Sequence, residues 1–326
     1  MPILTVRGED FPLKGTFRIS RGARTTAEVV YVEIRDGDVV GRGECTPYKR
    51  YGETRDGVIA DIQAMAGALG EGMTRQELQT AMKAGAARNA VDCALWDLEA
   101  KRAGKRVWEL AGLPAPKPVT TVFTISLDDT DKMGAQAREN AHRPLLKLKL
   151  TGDGDLERVQ AVRRNAPDSR IVVDANEGWS VEHLERYAQA FADLGVEMIE
   201  QPLHADRDEA VGTFRSPLPI GADESCHTSA DVPRLKRLYQ VANIKLDKTG
   251  GLTEALKLKA AAEAAGMRIM VGCMVATSLS MAPALLVAQG VDFVDVDGPL
   301  WMARDREPGL RYEGSLVHPP EAALWG

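Results

Sequence analysis

Up to about residue 45, apolar and polar positions alternate in short runs, as in A-E-V-V-Y-V-E-I and, after the Asp36-Gly37 turn, D-V-V-G-R-G-E. That period of two predicts antiparallel strands. From Thr54 to about Gly112 the period lengthens. A-A-R-N-A-V-D-C-A-L-W-D-L-E-A-K-R, with Ala90, Ala94, Trp96 and Leu98 on one broad apolar face, predicts a helix. The proline-rich L-P-A-P-K-P-V, Leu113 to Val119, reads as a boundary between domains. Beyond it, short apolar runs alternate with amphipathic segments: V-T-T-V-F-T-I, L-L-K-L-K-L, I-V-V-D-A-N, E-M-I-E-Q-P, P-I-G-A-D-E-S, V-A-N-I-K-L-D, R-I-M-V-G-C and D-F-V-D-V-D. They recur roughly every 22–26 residues, the rhythm of successive strand–helix units. Eight such units predict a closed parallel barrel. The expected organisation is 1–112, 113–300 and a tail, 301–326, that packs back on the N-terminal part.

The run Leu145 to Leu150 breaks the pattern expected of a simple strand. Leu146, Leu148 and Leu150 share one face, and Lys147 and Lys149 share the other. An edge strand would leave both ammonium groups in water. In a barrel the leucine face packs under the outer helices instead, so both lysines point inward and require partners.

Composition narrows the function classes. The 326 residues carry a net charge of −6 with no basic stripe, which argues against nucleic acid or an acidic membrane as partner. The four cysteines (Cys45, Cys93, Cys226, Cys273) are far apart and lack zinc or disulfide spacing, as expected of reduced cytoplasmic thiols. No basic-then-apolar leader opens the chain. Ile269 to Gln289 holds no charge, but its Gly272, Thr277, Ser278, Ser280 and Pro283 suit a buried strand, polar turn and buried helix better than a membrane span. The oligomeric state is left open, a homo-oligomer included.

The remaining polar residues fall at strand C-termini, the end where barrels of this kind build active sites. Asp174 ends the third barrel strand, Glu200 the fourth, Asp223 the fifth, Lys245 the sixth, and Asp295 and Asp297 the eighth. One acid there is readily a helix cap. Three on adjacent strands repel one another unless a cation joins them, and hard oxygen donors select Mg²⁺, with Mn²⁺ as a substitute. Strands two and six of an eight-strand ring are opposed, so Lys149 and Lys245 would flank a planar intermediate, one removing a proton and the other returning it. Burial and nearby cations would lower a lysine pKa to about 7–8 for that work. Mg²⁺ would stabilise the enediolate, a pairing of lysine and Mg²⁺ already described for enolase-type enzymes.

K-L-K, V-D-A-N, E-Q-P, A-D-E-S and N-I-K-L-D, in this order, resemble the muconate-lactonizing subgroup of the enolase superfamily over essentially the whole chain. R-G-A-R, G-E-C-T-P-Y, A-A-R-N-A-V-D-C-A-L-W-D and D-V-D-G-P resemble its dipeptide epimerases. The resemblance implies a modified (β/α)8 barrel, (β/α)7β, with an α+β N-terminal capping domain. It makes Asp174, Glu200 and Asp223 the Mg²⁺ ligands and Lys149 and Lys245 the acid/base pair, with Lys147 against the substrate carboxylate. Thr124, Cys273 and Val275 become substrate contacts. Arg24, in a capping loop that closes over the mouth beside a second loop at Tyr48–Tyr51, becomes another. Asp295 and Asp297, two apart and facing one way, suit a substrate ammonium. The expected substrate is therefore a dipeptide with a free N-terminus and an acidic C-terminal residue. An N-acylamino-acid racemase, a cycloisomerase or dehydratase, and a catalytically silent metal-binding barrel remain alternatives.

Overall fold

The computed structural model describes residues 1–326. Three antiparallel strands open the chain, β1 (Ile3–Ile19), β2 (Gly22–Asp36) and β3 (Val39–Cys45), in the order β1-β2-β3. Helices Arg55–Gln63, Ala66–Gly70, Arg75–Ala81, Ala86–Ala103 and Val107–Leu110 follow. The longest of them, Ala86–Ala103, lies on β3 so closely that a Cβ at Gly41 or Gly43 would collide with the carbonyls of Ala94 and Ala90. Small residues on both elements make this backbone approach available. Val30, Val32, Ile34, Ile62, Leu78, Ala90 and Leu98 fill a separate core for this unit.

After the short β4 (Val119–Thr120), eight parallel strands follow: β5 (Phe123–Ile125), β6 (Leu145–Lys149), β7 (Arg170–Asp174), β8 (Val196–Glu200), β9 (Ile220–Ala222), β10 (Val241–Ile244), β11 (Arg268–Val271) and β12 (Phe293–Val294). They lie in sequence order around one curled sheet. Its two ends meet where Val122 N–H donates to the Val294 carbonyl at 2.8 Å. This is the modified barrel with a capping domain. The eighth strand is shorter than D-F-V-D-V-D implied: Asp295 N–H still donates to the Val271 carbonyl at 2.8 Å, but Val296 N–H turns to the Thr121 hydroxyl at 2.9 Å.

The leucine face of β6 does pack outward. Leu146, Leu148 and Leu150 join the main core, fully buried, each contributing about 2 kcal/mol. The inner face is layered. Val122, Leu145, Val172, Met198, Val241, Met270 and Phe293 plug the N-terminal end of the barrel, and the polar residues lie above that plug. The segment from Ile269 to Gln289 is a strand, a turn capped by Thr277, and the buried helix Ser278–Val287. No helix is long and apolar enough to cross a membrane.

A buried polar seam joins the two parts. Arg88 donates to the carbonyls of Thr249 (2.7 Å) and Gly250 (3.1 Å), and Asn89 Nδ2 to Asp247 Oδ1 (2.9 Å). Asp92 accepts from the main chain and hydroxyl of Thr253 at 2.9 and 2.7 Å. Glu44, on β3, accepts from Thr277 N–H and Oγ1 and from Arg306 of the tail. In the tail, Tyr312–Glu313 (β13) pairs with Leu316–Val317 (β14), which pairs with β4, and the Trp325 indole donates to the Cys93 carbonyl.

Candidate active site

Strand alternation brings Lys147 and Lys149 to the barrel interior beside Asp174, which sits opposite Lys149 in the β6–β7 ladder. Lys149 Nζ lies 2.6 Å from Asp174 Oδ2. Lys147 Nζ lies 2.6 Å from Glu200 Oε2, 2.8 Å from Asp295 Oδ2 and 3.3 Å from Asp174 Oδ2. On the far side Lys245 Nζ lies 2.6 Å from Asp223 Oδ2. β6 and β10 stand four strands apart in the ring of eight, so Lys149 and Lys245 approach the mouth from opposite walls.

The backbone at the strand ends is specialised. Asn176, Glu177 and Gln201 have φ of 44°, 64° and 34°, left-handed values that non-glycine residues adopt where the surroundings impose them. The turn at Asn176 returns its N–H to Asp174 Oδ1 at 2.8 Å. Gln201 Oε1 accepts from Asp223 N–H at 2.8 Å. Each turn orients a carboxylate rather than merely ending a strand.

A cavity of about 650 Å³ opens between the capping loops and this mouth. Lys149, Asp223, Lys245, Thr124, Cys273, Val275, Asp295, Asp297 and Arg24 all line it. Lys147 does not. It is fully buried beneath the floor, where it binds three carboxylates at once. Thr124 is 2 % exposed and donates its N–H to Asp297 Oδ2 at 2.7 Å, which braces that aspartate. Arg24 is partly exposed, its guanidinium carbon 5.9 Å from the centre of the Tyr48 ring.

Charge and burial set the protonation states. Burial works against the Asp174 carboxylate, but Lys149 and Lys147 outweigh it and bring its pKa to about 2. Burial and the Asp174 charge push Glu200 up to about 7. Asp223 is held well below the usual carboxylate range, since Lys245 and Lys248 overcome its burial. Burial and the neighbouring Asp295 raise Asp297 to about 7. The lysines depart from the expectation of a lowered pKa. Burial opposes the charges of Lys147 and Lys245, yet their carboxylate partners win and raise both.

Asp174, Glu200 and Asp223 offer oxygens that all lie within 4.8 Å of one another, and none is more than 2 % exposed. Three hard oxygen donors converging on a point, with ammonium groups drawn in among them, fit Mg²⁺. When bound there, the ion would act as a Lewis acid toward a substrate carboxylate.

Several residues of the site escaped the sequence reading. Lys248 is fully buried, with Nζ 2.6 Å from Asp223 Oδ1. Asn243 Nδ2 donates to Glu200 Oε1 at 2.6 Å. Its position two before Lys245 on the same strand face was a usable signal. Arg21, three residues before Arg24, donates to Glu224 Oε1 (2.6 Å), the Asn176 carbonyl (2.7 Å) and Tyr48 Oη (2.9 Å). Arg50 grips Glu177 at 2.7 and 2.8 Å. These pairs fasten both capping loops to the loops that carry the acids, and no local pattern announces contacts between residues so distant in sequence.

Residues 3–112 match the family described as mandelate racemase / muconate lactonizing enzyme, N-terminal domain, and residues 132–323 match enolase C-terminal domain-like. The L-Ala-D/L-Glu epimerase of Escherichia coli (strain K12) is 47% identical over 98% of this chain and 100% of its own length. The N-acetyl-D-glutamate racemase of a Pseudoalteromonas species is 41% identical over 91% and 95%. Among solved structures, an enolase family member from Agrobacterium tumefaciens with homology to dipeptide epimerases, holding sodium and L-Ala-L-Glu, superposes with a TM-score of 0.98 at 55% identity over 100% of both chains. The dipeptide epimerase from Enterococcus faecalis V583, complexed with Mg and L-Leu-L-Tyr, gives 0.90 at 29% identity over 98% and 97%. With both of its parts matched and relatives alike along nearly their full length, the chain belongs to the enolase superfamily, in the mandelate racemase / muconate lactonizing enzyme family.

Proposed function

We propose that the chain is a Mg²⁺-dependent dipeptide epimerase, an isomerase that inverts the α-carbon of a C-terminal residue, with L-Ala-D/L-Glu as its preferred pair. The observation that carries this reading is the cavity wall itself. Lys149 and Lys245 stand on opposite sides, and the two buried aspartates Asp295 and Asp297 lie on a third. Asp174, Glu200 and Asp223 would hold the metal, which offsets charge at the substrate carboxylate when bound. Lys149 or Lys245 takes the α-proton from one face, and the other returns it on the opposite face. Asp295 and Asp297 receive the free ammonium, and Arg24 pairs with the acidic side chain as a bidentate donor. Lys147 neutralises the floor of the site from below. The substrate has the composition of a dipeptide released in murein peptide recycling.

A second reading, an N-acylamino-acid racemase, is favoured by the 41% identical relative of that kind. An acylated nitrogen gives Asp295 and Asp297 no cation to bind. The two readings separate with L-Ala-L-Glu, its N-acetyl derivative and N-acetyl-glutamate, incubated in D₂O with Mg²⁺. The epimerase deuterates the glutamate α-carbon and forms L-Ala-D-Glu, and N-acetylation lowers kcat/KM by about tenfold or more, on the order of 1.4 kcal/mol. Racemisation of N-acetyl-glutamate as fast as epimerisation of the dipeptide refutes the first reading and installs the second.

A further inference from the structure

Asp208 is fully buried yet lines no part of the cavity. It sits in the loop after β8, between the short turns Ala205–Arg207 and Glu209–Gly212. Arg234 grips one side of its carboxylate. On the other side, Ser225 Oγ and Tyr239 Oη each lie 2.6 Å from Oδ2. A carboxylate held by an arginine only accepts, so both hydroxyls must point their hydrogens at it. The hydroxyls are also 3.3 Å from each other, a longer contact without charge that yields to these. Each hydroxyl is thereby left as an acceptor, and both face Gln201 Nε2, at 2.9 and 3.0 Å. That nitrogen also donates to the Leu203 carbonyl at 2.9 Å. Gln201 Oε1 is thus fixed on the remaining side, where it accepts from Asp223 N–H at 2.8 Å and Ser225 N–H at 3.2 Å. Gln201 is itself fully buried, has φ of 34°, and directly follows Glu200.

Resting on the epimerase reading and its three-carboxylate site, we infer that Asp208 is a positioning residue: it sets the direction of this hydrogen-bond network and, through Gln201, ties together the turns that carry Glu200 and Asp223. Direction is the essential property. An asparagine at 208 has nearly the same shape, but Arg234 would take its oxygen and leave an N–H facing the two hydroxyls. Both hydroxyls would then reverse and donate toward Gln201. The amide could meet them only by turning its oxygen round, which sets its nitrogen against Asp223 N–H and Ser225 N–H, donor against donor. With those bonds lost, the left-handed backbone at Gln201 loses what imposes it. None of Arg24, Lys149, Lys245, Asp295 and Asp297 belongs to the network, so the defect falls on metal binding and spares substrate binding.

The test compares the full-length wild type with Asp208→Asn, Tyr239→Phe, Ser225→Ala, the Tyr239→Phe/Ser225→Ala pair and the triple variant. Electron paramagnetic resonance of free Mn²⁺ over substrate-free protein gives the metal Kd. Turnover of L-Ala-L-Glu at rising Mg²⁺ gives kcat and KM, and thermal unfolding in EDTA confirms that each variant is folded. Asp208→Asn raises the Mn²⁺ Kd about tenfold, the low end of what metal sites lose with the hydrogen-bond partners of their ligands. Saturating Mg²⁺ returns kcat close to the wild-type value, and KM for the dipeptide is unchanged. Removing one hydroxyl costs less, because the other still directs Gln201. Removing both matches Asp208→Asn, and the triple variant is no weaker than the pair. A general loosening of the fold would not give that non-additivity in Kd. Should Asp208→Asn not fold, the pair, which keeps Asp208 and Arg234 together, is held to the same tenfold. An unchanged Mn²⁺ Kd in folded Asp208→Asn or in the pair overturns the inference, whatever the change in Tm, as does a triple variant whose losses add. A wild type that binds Mn²⁺ but exchanges the α-hydrogen of neither epimer in D₂O refutes the epimerase reading instead, and Kd then decides the role of Asp208 alone. A wild type that binds no Mn²⁺ overturns the inference together with the metal site.

Discussion

Lys147→Met keeps the length and apolar stem of the side chain and deletes its charge. In the wild type this ammonium is fully buried and meets Glu200, Asp295 and Asp174 at 2.6, 2.8 and 3.3 Å. Each contact is worth roughly 5–6 kcal/mol at an effective dielectric near 20, and desolvation of the ammonium offsets several kcal/mol of that sum. Asp174 keeps Lys149 in the variant, but Glu200 and Asp295 lose their nearest cation. Stranding a buried charge in this way costs about 3–5 kcal/mol. The deficit must depend on pH. Glu200 is already raised to about 7, and removing Lys147 raises it further. A group whose pKa is higher in the folded state contributes stability that is complete below its unfolded value, about 4.5, and lost as pH rises through its folded value. The deficit therefore grows as pH rises through 7 toward 8 and shrinks to roughly 1–2 kcal/mol at pH 5.5, where Glu200 holds a proton. Guanidinium unfolding in EDTA at the two pH values measures it. A cost below about 1 kcal/mol at pH 8, or an equal cost at both pH values, would refute the account of Lys147 as the counter-charge beneath the floor.

Three further outcomes are expected. Chelation should abolish epimerisation and Mg²⁺ restore it, with Glu200→Gln folded but inactive, and full turnover in EDTA would contradict the three-carboxylate site. Arg24→Ala should lower kcat/KM for C-terminal glutamate by about 10–100-fold, the worth of a charge-assisted pair, while sparing C-terminal leucine; an equal loss for both would leave Arg24 with no part in reading the side chain. Asp247, buried and raised to about 7 by desolvation, opposes folding increasingly as pH rises from about 4 through 7. Asn keeps the acceptor oxygen that Thr46 N–H and Asn89 use, each at 2.9 Å, so Asp247→Asn should be more stable at pH 8 by ~1–3 kcal/mol and nearly neutral at pH 4. Thermal unfolding at both values checks this, and lower stability at pH 8 would contradict it.

The parts of the site legible in the sequence are those where one strand carries the information. L-L-K-L-K-L places its lysines inside because two-residue alternation leaves no other position once the leucines pack outward. Asp174, Glu200 and Asp223 were readable because each ends a strand and parallel neighbours align those ends. Lys248 was not, since whether a lysine one helical turn beyond β10 faces water or Asp223 depends on how that turn docks. Arg21 was missed for a related reason. R-G-A-R offers two arginines, and only the folded loop shows that Arg21 reaches Glu224 and the Asn176 carbonyl while Arg24 is left facing the cavity. The pKa values of Lys147 and Lys245 are raised rather than lowered because their carboxylate partners outweigh burial. At 2.6 Å a carboxylate outweighs the desolvation that sequence reasoning emphasised.

The polar seam behind β10 bears on how such proteins are recombined. Arg88, Asn89 and Asp92, from the capping helix, hold Thr249, Gly250, Asp247 and Thr253, the stretch that leads directly out of Lys245. The capping domain is therefore the back support of Lys245, the proposed proton-transfer group, as well as the roof over the cavity. A chimera that takes its substrate loops from one relative and its barrel from another cuts this support unless the A-A-R-N-A-V-D segment and residues 245–253 come from the same parent. The inheritable block for exchanging specificity in this fold is a pair of segments over 140 residues apart, on either side of the proline-rich junction.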